Sequence, residues 1–282
     1  MKKVKIYYVK VFNTDKRYGN LAGVVLDAQG LTGAQMKNIA RFVGASETAF
    51  VFPSKRKDFK IRWFTPTTEV GICIHATIAA LAALKRLGKI SRNQVLLETK
   101  NTLLKAKLVK DKIFIQIGGY KLLRQEINIK VIKKYLDLKF QNLVRKPQIV
   151  QIFQDKELLI PVRNLAVLKQ LKPNFKRYAN LCKRLKITGI SIFTKQTFNP
   201  NNNIHTREFA PLYGYLEDPL CGMAAGAITT YLRKVDNRKG NLRVEQGNFL
   251  KSPGVIEVLL SGKNLLIGGN YKVFKTQTKL LS

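Results

Sequence analysis

The sequence is poor in the residues that build disulfide frameworks and metal sites. Its 282 residues include three cysteines and two histidines, with no Cys-x-x-Cys or His-x-x-x-His spacing. An odd number of thiols, with no visible signal peptide, indicates reduced cysteines in a cytoplasmic protein. Without ligand spacing we expect no metal site. Without a glycine-rich phosphate loop or a nicotinamide fingerprint we expect no bound cofactor.

The chain also lacks an apolar run long enough to cross a membrane. The longest run, Ile72–Leu84, contains His75 and is shorter than the ~20 residues that a bilayer requires. Lys5 and Lys10 interrupt any apolar signal core at the N-terminus. We therefore expect no membrane partner. With 45% hydrophobic residues the chain can still bury a full core, and its length is typical of one large or two medium domains.

Acidic residues are scarce. There are 17 Asp and Glu against 51 Lys and Arg, which gives a formal net charge of +34. Such a surface attracts polyanions at low salt. However, the lysines of Leu104–Leu108 recur at every second residue, as on the outer face of a strand. There is no zinc-finger spacing, RNA-binding aromatic signature or isolated basic tail. The composition favours non-specific polyanion binding over a dedicated nucleic-acid function.

One pattern occurs twice in the chain. Arg62-Trp-Phe-Thr-Pro66 precedes the stretch Glu69–Ala80, and Arg207-Glu-Phe-Ala-Pro211 precedes the stretch Glu217–Ile228. In each stretch a Glu lies four residues before a Cys, and a run of small residues suited to a buried helix follows. This repeat predicts two copies of one structural unit.

The order of predicted elements is also the same in both halves: strands, one helix of small residues, and more strands. A helix rich in Ala and Gly can be enclosed by a curved sheet because its side chains allow close approach. We therefore predict an α/β (α+β) fold with two pseudo-symmetric domains, each a curved, mainly antiparallel sheet around a central helix. The predicted domains are residues 1–120 and 121–282, and a closing strand at 265–274 can pack on either.

These motifs resemble a known family. Arg62–Val70 with Cys73-x-His75-Ala-Thr, and Glu217-Asp-Pro-x-Cys-Gly222, are similar to the phenazine-biosynthesis (PhzF-like) isomerases, which are related to diaminopimelate epimerase and proline racemase. The resemblance implies a diaminopimelate-epimerase-like fold and an active site in the inter-domain cleft, where the two helix N-termini meet. It also implies a homodimer with a biosynthetic role. Further matches are Gly19-Asn20, Ser46–Thr48, Ile160–Val162, Thr188-Gly189 and Gln246-Gly247.

Two helix N-termini at one cleft would favour a carboxylate, because their backbone N–H groups and dipoles are positive. We therefore expect a small carboxylic acid as the substrate. The residues at the two helix starts are the predicted substrate-binding set: Cys73, Ile74, Cys221, Gly222 and Met223.

Abstraction of a proton beside a carboxylate needs a positioned base. Glu47 precedes an apolar strand, and partial desolvation there is expected to raise its pKa towards neutrality. The resemblance places the catalytic glutamate at Glu47 and gives active-site positions to Asp218 and His75. Asp218 would polarise the substrate, and His75 would relay or orient a proton. From the residues alone, Glu47 could equally be a surface strand residue and His75 a satisfied core histidine.

The cysteines supply a second hypothesis. A thiol at a helix N-terminus has a lowered pKa, so Cys73 and Cys221 could act as the base and acid of a two-thiol racemase or epimerase. The simpler interpretation, which we favour, is two small residues that pack at helix starts. Cys182 is interpreted as structural.

The chain departs from the family pattern at both helix starts. The family usually has Gly at the position of Ile74 and Ser at the position of Met223. Ile74 would crowd a ligand that Gly would admit, and Met223 removes a hydroxyl donor. These changes predict an altered substrate or a decayed activity. A third hypothesis is therefore a non-catalytic protein that binds an anionic ligand or a polyanion.

Overall fold

The structure is a computed structural model that describes residues 2–15 and 17–281. It divides into two compact units, Met1–Ile117 with Leu266–Ser282 and Gly118–Leu265. The domain limits of 1–120 and 121–282 drawn from the sequence stay a prediction.

The elements follow the chain in a regular order. The helices are Gly33–Val43 (α1), Ile74–Arg86 (α2), Ile129–Leu136 (α3), Leu165–Gln170 (α4), Phe175–Leu185 (α5) and Gly222–Val235 (α6). The strands are Lys2–Val11 (β1), Asn20–Val25 (β2), Glu47–Phe52 (β3), Phe59–Phe64 (β4), Glu69–Val70 (β5), Gln94–Glu98 (β6), Leu103–Val109 (β7), Lys112–Ile117 (β8), Lys121–Leu123 (β9), Gln148–Ile152 (β10), Asp155–Pro161 (β11), Gly189–Thr194 (β12), Ile204–Phe209 (β13), Leu242–Gln246 (β14), Gly254–Ser261 (β15) and Asn264–Leu281 (β16).

The sheet of the first unit closes on itself. Its strands run in the order β1-β2-β3-β4-β6-β7-β8-β16, and β16 pairs again with β1. The pairs β2–β3 and β4–β6 are parallel, while β1–β2, β3–β4, β6–β7 and β7–β8 are antiparallel. The strand predicted at 265–274 is therefore part of a longer strand that pairs with β1. A closed sheet leaves no long unpaired edge.

The sheet of the second unit repeats the same steps. Its strands run in the order β9-β10-β11-β12-β13-β14-β15. The parallel pair β11–β12 is followed by the antiparallel pair β12–β13, as β2–β3 is followed by β3–β4 in the first unit. The predicted α/β class, with curved and mainly antiparallel sheets, is confirmed.

Each sheet carries one buried helix on one face. Helix α2 contacts β1, β2, β3 and β8, and α6 contacts β9 to β12 and β15. Every residue from Ile74 to Leu84 is buried, and the first turns of α6 bury Gly222, Ala224 and Ala225. Small side chains let the strands approach these helices closely, as the composition predicts. None of the helices in the described chain has the length and hydropathy of a membrane span.

The opposite faces are covered by amphipathic helices. In the first unit, α1 packs Met36 and Ile39 into a cluster with Phe50 and Phe64 of the sheet. In the second unit, α3, α4 and α5 pack on a cluster that includes Leu158, Ile192 and Phe209 of the sheet. Phe50 of β3 and Phe64 of β4 therefore face α1, and the residues that alternate with them along each strand face the opposite side of the sheet.

The repeated Arg and Glu residues form two matching ion pairs. Arg62 binds Glu69 through two N···O contacts of 2.7 and 2.8 Å, and Arg207 binds Glu217 through contacts of 2.8 and 2.6 Å. Each guanidinium also lies over the Phe two residues later, at 5.0 Å from the ring of Phe64 and 5.3 Å from that of Phe209. The motif thus ties a strand to the segment that leads into the central helix.

His205 departs from its predicted environment. The polar stretch Gln196–His205 is predicted as a surface hairpin tip, but β13 begins at Ile204 and His205 is fully buried. Its Nδ1 lies 2.9 Å from Oε1 of Glu245, and its ring packs against those of Phe198 and Phe249. Glu245 also accepts hydrogen bonds from the backbone N–H groups of Phe198 and Asn199. A buried carboxylate therefore anchors the loop, which the polar composition concealed.

The two ion pairs predict unequal effects on stability. The side chains of Arg207 and Glu217 are 8% and 9% exposed, whereas those of Arg62 and Glu69 are 30% and 25% exposed. Breaking a buried pair costs about 3–5 kcal/mol, and breaking a solvated pair costs about 1 kcal/mol or less. We expect Glu217→Gln to lower the midpoint of urea unfolding clearly more than the matched change Glu69→Gln. Equal losses would contradict the account.

Candidate functional site

The predicted site residues fall into two sets, one in each unit. Glu47, Cys73, Ile74 and His75 belong to the first unit, and Asp218, Cys221, Gly222 and Met223 belong to the second. Each set lies at the start of a central helix or on a segment packed against it.

Glu47 is a buried carboxylate, not a surface residue. It is the first residue of β3 and is only 5% exposed. β3 packs against α2, and the Glu47 carboxylate reaches the first turn of that helix, where Oε2 lies 3.5 Å from Nε2 of His75. A buried carboxylate with an imidazole partner has the surroundings in which acid and base groups are tuned.

His75 links Glu47 to Cys73. Its Nδ1 lies 3.3 Å from Sγ of Cys73, and its side chain is 4% exposed. If the thiol donates its proton to Nδ1, then the Nε2–H group points to the Glu47 carboxylate. The three side chains form one compact cluster, because Sγ also lies 4.0 Å from Nε2, and a proton can move between the carboxylate and the imidazole.

The same three residues offer ligand atoms for a metal ion. One atom from each of Glu47, Cys73 and His75 lies within 4.8 Å of the others, and carboxylate, thiolate and imidazole together suit zinc. The imidazole meets the thiol most closely through Nδ1 and the carboxylate through Nε2. The absence of a metal site stays a prediction.

In the second unit, three hydrogen bonds fix the position of Asp218. Its Oδ1 accepts a hydrogen bond of 3.0 Å from the N–H group of Leu220, and its N–H group donates to the carbonyl of Glu208 at 2.9 Å. Its own carbonyl accepts a bond of 2.6 Å from Nε2 of Gln246. The carboxylate is therefore fixed before the first turn of α6.

Gln246 joins Asp218 to Cys221. While its Nε2 bonds the carbonyl of Asp218, its Oε1 accepts a bond of 3.1 Å from the N–H group of Cys221. The next residue, Gly247, has φ 85°, and a Cβ there would overlap the carbonyl oxygens of Ser252 and Pro219. The Gln-Gly pair is thus a positioning element, which the sequence showed only as a match to the family.

Both central helices begin without a side-chain cap. Helices α1, α3, α4 and α5 are capped by the side chains of Thr32, Asn128, Asn164 and Asn174. At the starts of α2 and α6, the N-cap residues Cys73 and Cys221 make no such bond to any described residue. Uncapped backbone N–H groups retain their positive potential and their capacity to bind an anion.

The environment of Cys221 opposes the expected thiolate. Burial, followed by the charges of Asp218 and two glutamates, raises the pKa of the Cys221 thiol well above its usual value. The N–H group of Ala224 in the first turn of α6 lowers this pKa, as expected at a helix start, but burial and the nearby carboxylates outweigh it. Burial likewise raises the pKa of Cys182 to about 12, which agrees with a structural thiol.

Ile74 and Met223 differ in exposure. Ile74 is buried in the first turn of α2, while Met223 is half-buried in the first turn of α6. The Met223 carbonyl accepts a hydrogen bond of 3.2 Å from the hydroxyl of Tyr120. Tyr120 therefore touches the start of α6 directly, and no sequence signal singled it out.

A pair of carboxyl groups lies on the second sheet and was not predicted. Ser191 Oγ lies 2.8 Å from Oε1 of Glu157 and 2.5 Å from Oε2 of Glu208. A serine hydroxyl has one proton to donate, so one of the two carboxyl groups must donate to Oγ and hence be protonated. Burial raises the pKa of Glu157 to about 7 and that of Glu208 well above its usual value.

The carboxyl pair needs glycine beside it. A Cβ at Gly189 would overlap the carboxyl oxygens of Glu157 and Glu208. By strand pairing, Gly189 stands opposite Glu157 as Glu47 stands opposite Ala22 in the first unit. The repeat position that carries a glutamate in one unit is therefore a glycine in the other, with two glutamates packed over it.

Comparisons with known proteins identify relatives of the chain. The family described as phenazine biosynthesis-like protein matches residues 9–271. An uncharacterized isomerase from Clostridium acetobutylicum is 34% identical over 274 residues, which cover 92% of this chain and 90% of that protein. The crystal structure of a PhzF-family protein from Bacillus anthracis is similar with a TM-score of 0.89 and 26% identity, covering 100% of both chains. A probable proline racemase from Agrobacterium radiobacter shares the fold with a TM-score of 0.68 and 13% identity, covering 99% of this chain and 93% of that chain.

The fold is shared with PhzF-family and proline racemase structures, and the curated relatives are isomerases. The chain belongs to the phenazine biosynthesis-like, or PhzF-like, family. The family resemblance and the enzyme class expected from the motifs are thereby confirmed.

The carboxyl pair predicts an unusual dependence of stability on pH. The folded-state pKa of Glu157 is raised from 4.5 to about 7. Between pH 4.5 and about 7, the folded chain therefore keeps a proton on Glu157 that the unfolded chain has released. This contribution is fully present below pH 4.5 and is lost as the pH rises through about 7. We expect the wild type to lose on the order of 2 kcal/mol between pH 5 and 8 relative to Glu157→Gln. Urea unfolding at several pH values measures it.

The control for this pH series is Glu126→Gln, which changes an exposed carboxylate of the same unit. It should follow the wild type at every pH. If the free energy of unfolding of Glu157→Gln had the same pH dependence as that of the wild type, the carboxyl pair would hold no proton at neutral pH.

Proposed function

We propose that the protein is a cofactor-independent isomerase that shifts a proton within a small carboxylic acid, with Glu47 as the shuttle base. The observation that carries this proposal is the buried Glu47 carboxylate beside the His75 imidazole, at the uncapped start of α2. Glu47 would take a proton from the carbon next to the carboxylate and return it to another carbon of the same molecule. Substrate and product would then have the same composition.

The surroundings of Glu47 support this role. A carboxylate removed from water holds a proton more readily than one in solution, and an imidazole 3.5 Å away can stabilise either state of the pair. His75 would orient the carboxylate and relay the proton. Cys73, whose Sγ lies 3.3 Å from Nδ1, would fix the tautomer.

The substrate carboxylate would bind at the uncapped helix starts. The first N–H groups of α2 and α6 and the helix dipoles favour a negative charge there. Cys73, Ile74, Cys221, Gly222 and Met223 would line this anion site. Asp218, fixed by the N–H of Leu220 and by Gln246, would accept a hydrogen bond from a polar group of the substrate and so fix its orientation.

A two-thiol racemase is the second candidate, and the thiol environments disfavour it. Such a mechanism needs one thiol as a thiolate, and burial with nearby carboxylates opposes ionisation of Cys221. The Cys73 thiol lies against His75, which fits a positioning role. The inter-domain location of the site, the homodimer and the cytoplasmic setting stay predictions from the resemblance and the composition.

A non-catalytic function rests on the net charge of +34 and on the departures at Ile74 and Met223. It predicts that the protein copurifies with nucleic acid at low salt, with a high ratio of absorbance at 260 and 280 nm. A ratio typical of pure protein would argue against polyanion binding.

The isomerase proposal predicts isotope exchange that depends on Glu47. Protein is incubated in deuterated water with a panel of amino, hydroxy and unsaturated carboxylic acids, and label uptake is followed by mass spectrometry. Glu47→Gln keeps the shape of the side chain but removes the base, so we expect uptake to fall by about 10²-fold or more. Cys73→Ala should retain most of the uptake.

The reverse pattern, with loss in Cys73→Ala and retention in Glu47→Gln, would overturn the proposal in favour of the two-thiol mechanism. Absence of exchange with every acid, together with a high absorbance ratio, would favour the non-catalytic function. A Glu47→Gln variant that unfolds at the same urea concentration as the wild type ensures that the loss is chemical.

The departures at the helix starts predict a changed substrate range. Ile74 adds a β-branched side chain where glycine would leave the helix start open, and Met223 lacks the hydroxyl donor of serine. We expect the double variant Ile74→Gly, Met223→Ser to take up label from larger aromatic acids that the wild type does not exchange. An unchanged substrate range would show that these two side chains do not limit access.

A further inference from the structure

Trp63 lies on the same face of the sheet as Glu47. It is the only tryptophan of the chain and occupies β4, directly opposite Ala49 of β3. Glu47 precedes Ala49 by two residues, so its side chain points to the same side. Phe50 and Phe64 alternate with these residues and pack with α1. Trp63 therefore points away from α1, to the face on which Glu47 meets His75 of α2.

The indole N–H of Trp63 has no hydrogen-bond partner among the described residues. The side chain is 1% exposed, so water does not reach it from the surface. Buried N–H donors in folded proteins nearly always have a partner, because a buried donor without one loses its hydration and gains nothing in return. A buried indole N–H without a partner, on the face that carries a buried carboxylate, indicates that the acceptor is an atom of the bound ligand.

The second unit shows that this donor is specific to the first. Strand pairing places Glu208 opposite Ser191 as Trp63 is placed opposite Ala49, and both are the middle residue of the Arg-x-Phe motif. In the second unit this position carries a carboxyl group already bonded to Ser191. The first unit instead presents an N–H donor without a partner among the described residues, and such a donor suits an anionic oxygen.

We propose that Nε1–H of Trp63 donates a hydrogen bond to a carboxylate oxygen of the substrate, next to the carbon whose proton Glu47 takes. This assigns the carboxylate end of the substrate to the first unit and makes Trp63 a binding and specificity residue. The proposal rests on the proposed function, because it takes Glu47 as the base.

A single tryptophan gives a direct test. Protein labelled with 15N at the indole nitrogen has one indole N–H resonance, which needs no assignment, and acetate serves as the carboxylate probe. We expect the indole proton to move downfield as acetate is added, with saturation, and to stay in place when sodium chloride of equal ionic strength is added. An indole resonance that acetate does not move in a saturable way overturns the proposal.

The kinetic test uses Trp63→Phe, which keeps an aromatic ring and removes the donor. Loss of a hydrogen bond to a charged group should raise KM by about tenfold for the acid found by isotope exchange, with kcat unchanged because ground state and transition state lose it equally. Phe64→Leu, on the other face of the same strand, is the control for packing and should leave KM unchanged. An unchanged KM in Trp63→Phe, or an equal rise in Phe64→Leu, overturns the proposal.

The two proposals fail in different ways. If no acid is exchanged by the wild type, the isomerase proposal fails, while the acetate titration still decides whether Trp63 binds carboxylate. If exchange depends on Glu47 but the indole resonance stays in place, only the assignment of Trp63 fails. Glu47→Gln should retain the acetate-dependent movement, because it removes the base and leaves the donor.

Discussion

The start of each central helix depends on an ion pair between an arginine of the sheet and a glutamate of the segment before the helix. Arg62 and Arg207 lie on equivalent strands, and each forms a bidentate ion pair with its glutamate. Each guanidinium also lies over a phenylalanine ring. Glu217 immediately precedes Asp218, and Glu69 lies four residues before Cys73. The pairs therefore fix the backbone from which the candidate site residues project, although neither glutamate takes part in the proposed chemistry.

On this common frame the two units carry different chemistry. The first places a buried carboxylate against an imidazole, with an open indole donor on the same face. The second places Asp218 before α6. It also carries the carboxyl pair of Glu208 and Glu157 at the positions that Trp63 and Ala22 occupy in the first unit. The repeated fold therefore carries different titratable groups in its two units.

The sequence predicted much of this because its signals were local or repeated. The small-residue helices and the Arg and Glu motif could be identified from residue type and spacing, and the resemblance to the family singled out Glu47. The carboxyl pair could not, since Glu157 and Glu208 are brought together by the pairing of β12 with both β11 and β13 and by the space at Gly189. The burial of His205 could not be predicted for a similar reason. Its partner Glu245 lies 40 residues away in the sequence, so the polar composition of the loop gives no sign of a buried anchor.

The central claim is that the uncapped start of α2 holds a carboxylate beside Glu47. It is tested most directly by a crystal structure of the protein with the small carboxylic acid that it exchanges. The account predicts a carboxylate oxygen within hydrogen-bond distance of the first backbone N–H groups of α2 and of Nε1 of Trp63, with the labile carbon next to the Glu47 carboxylate. An acid bound with its carboxylate away from that helix start, and its labile carbon out of reach of Glu47, would contradict the account.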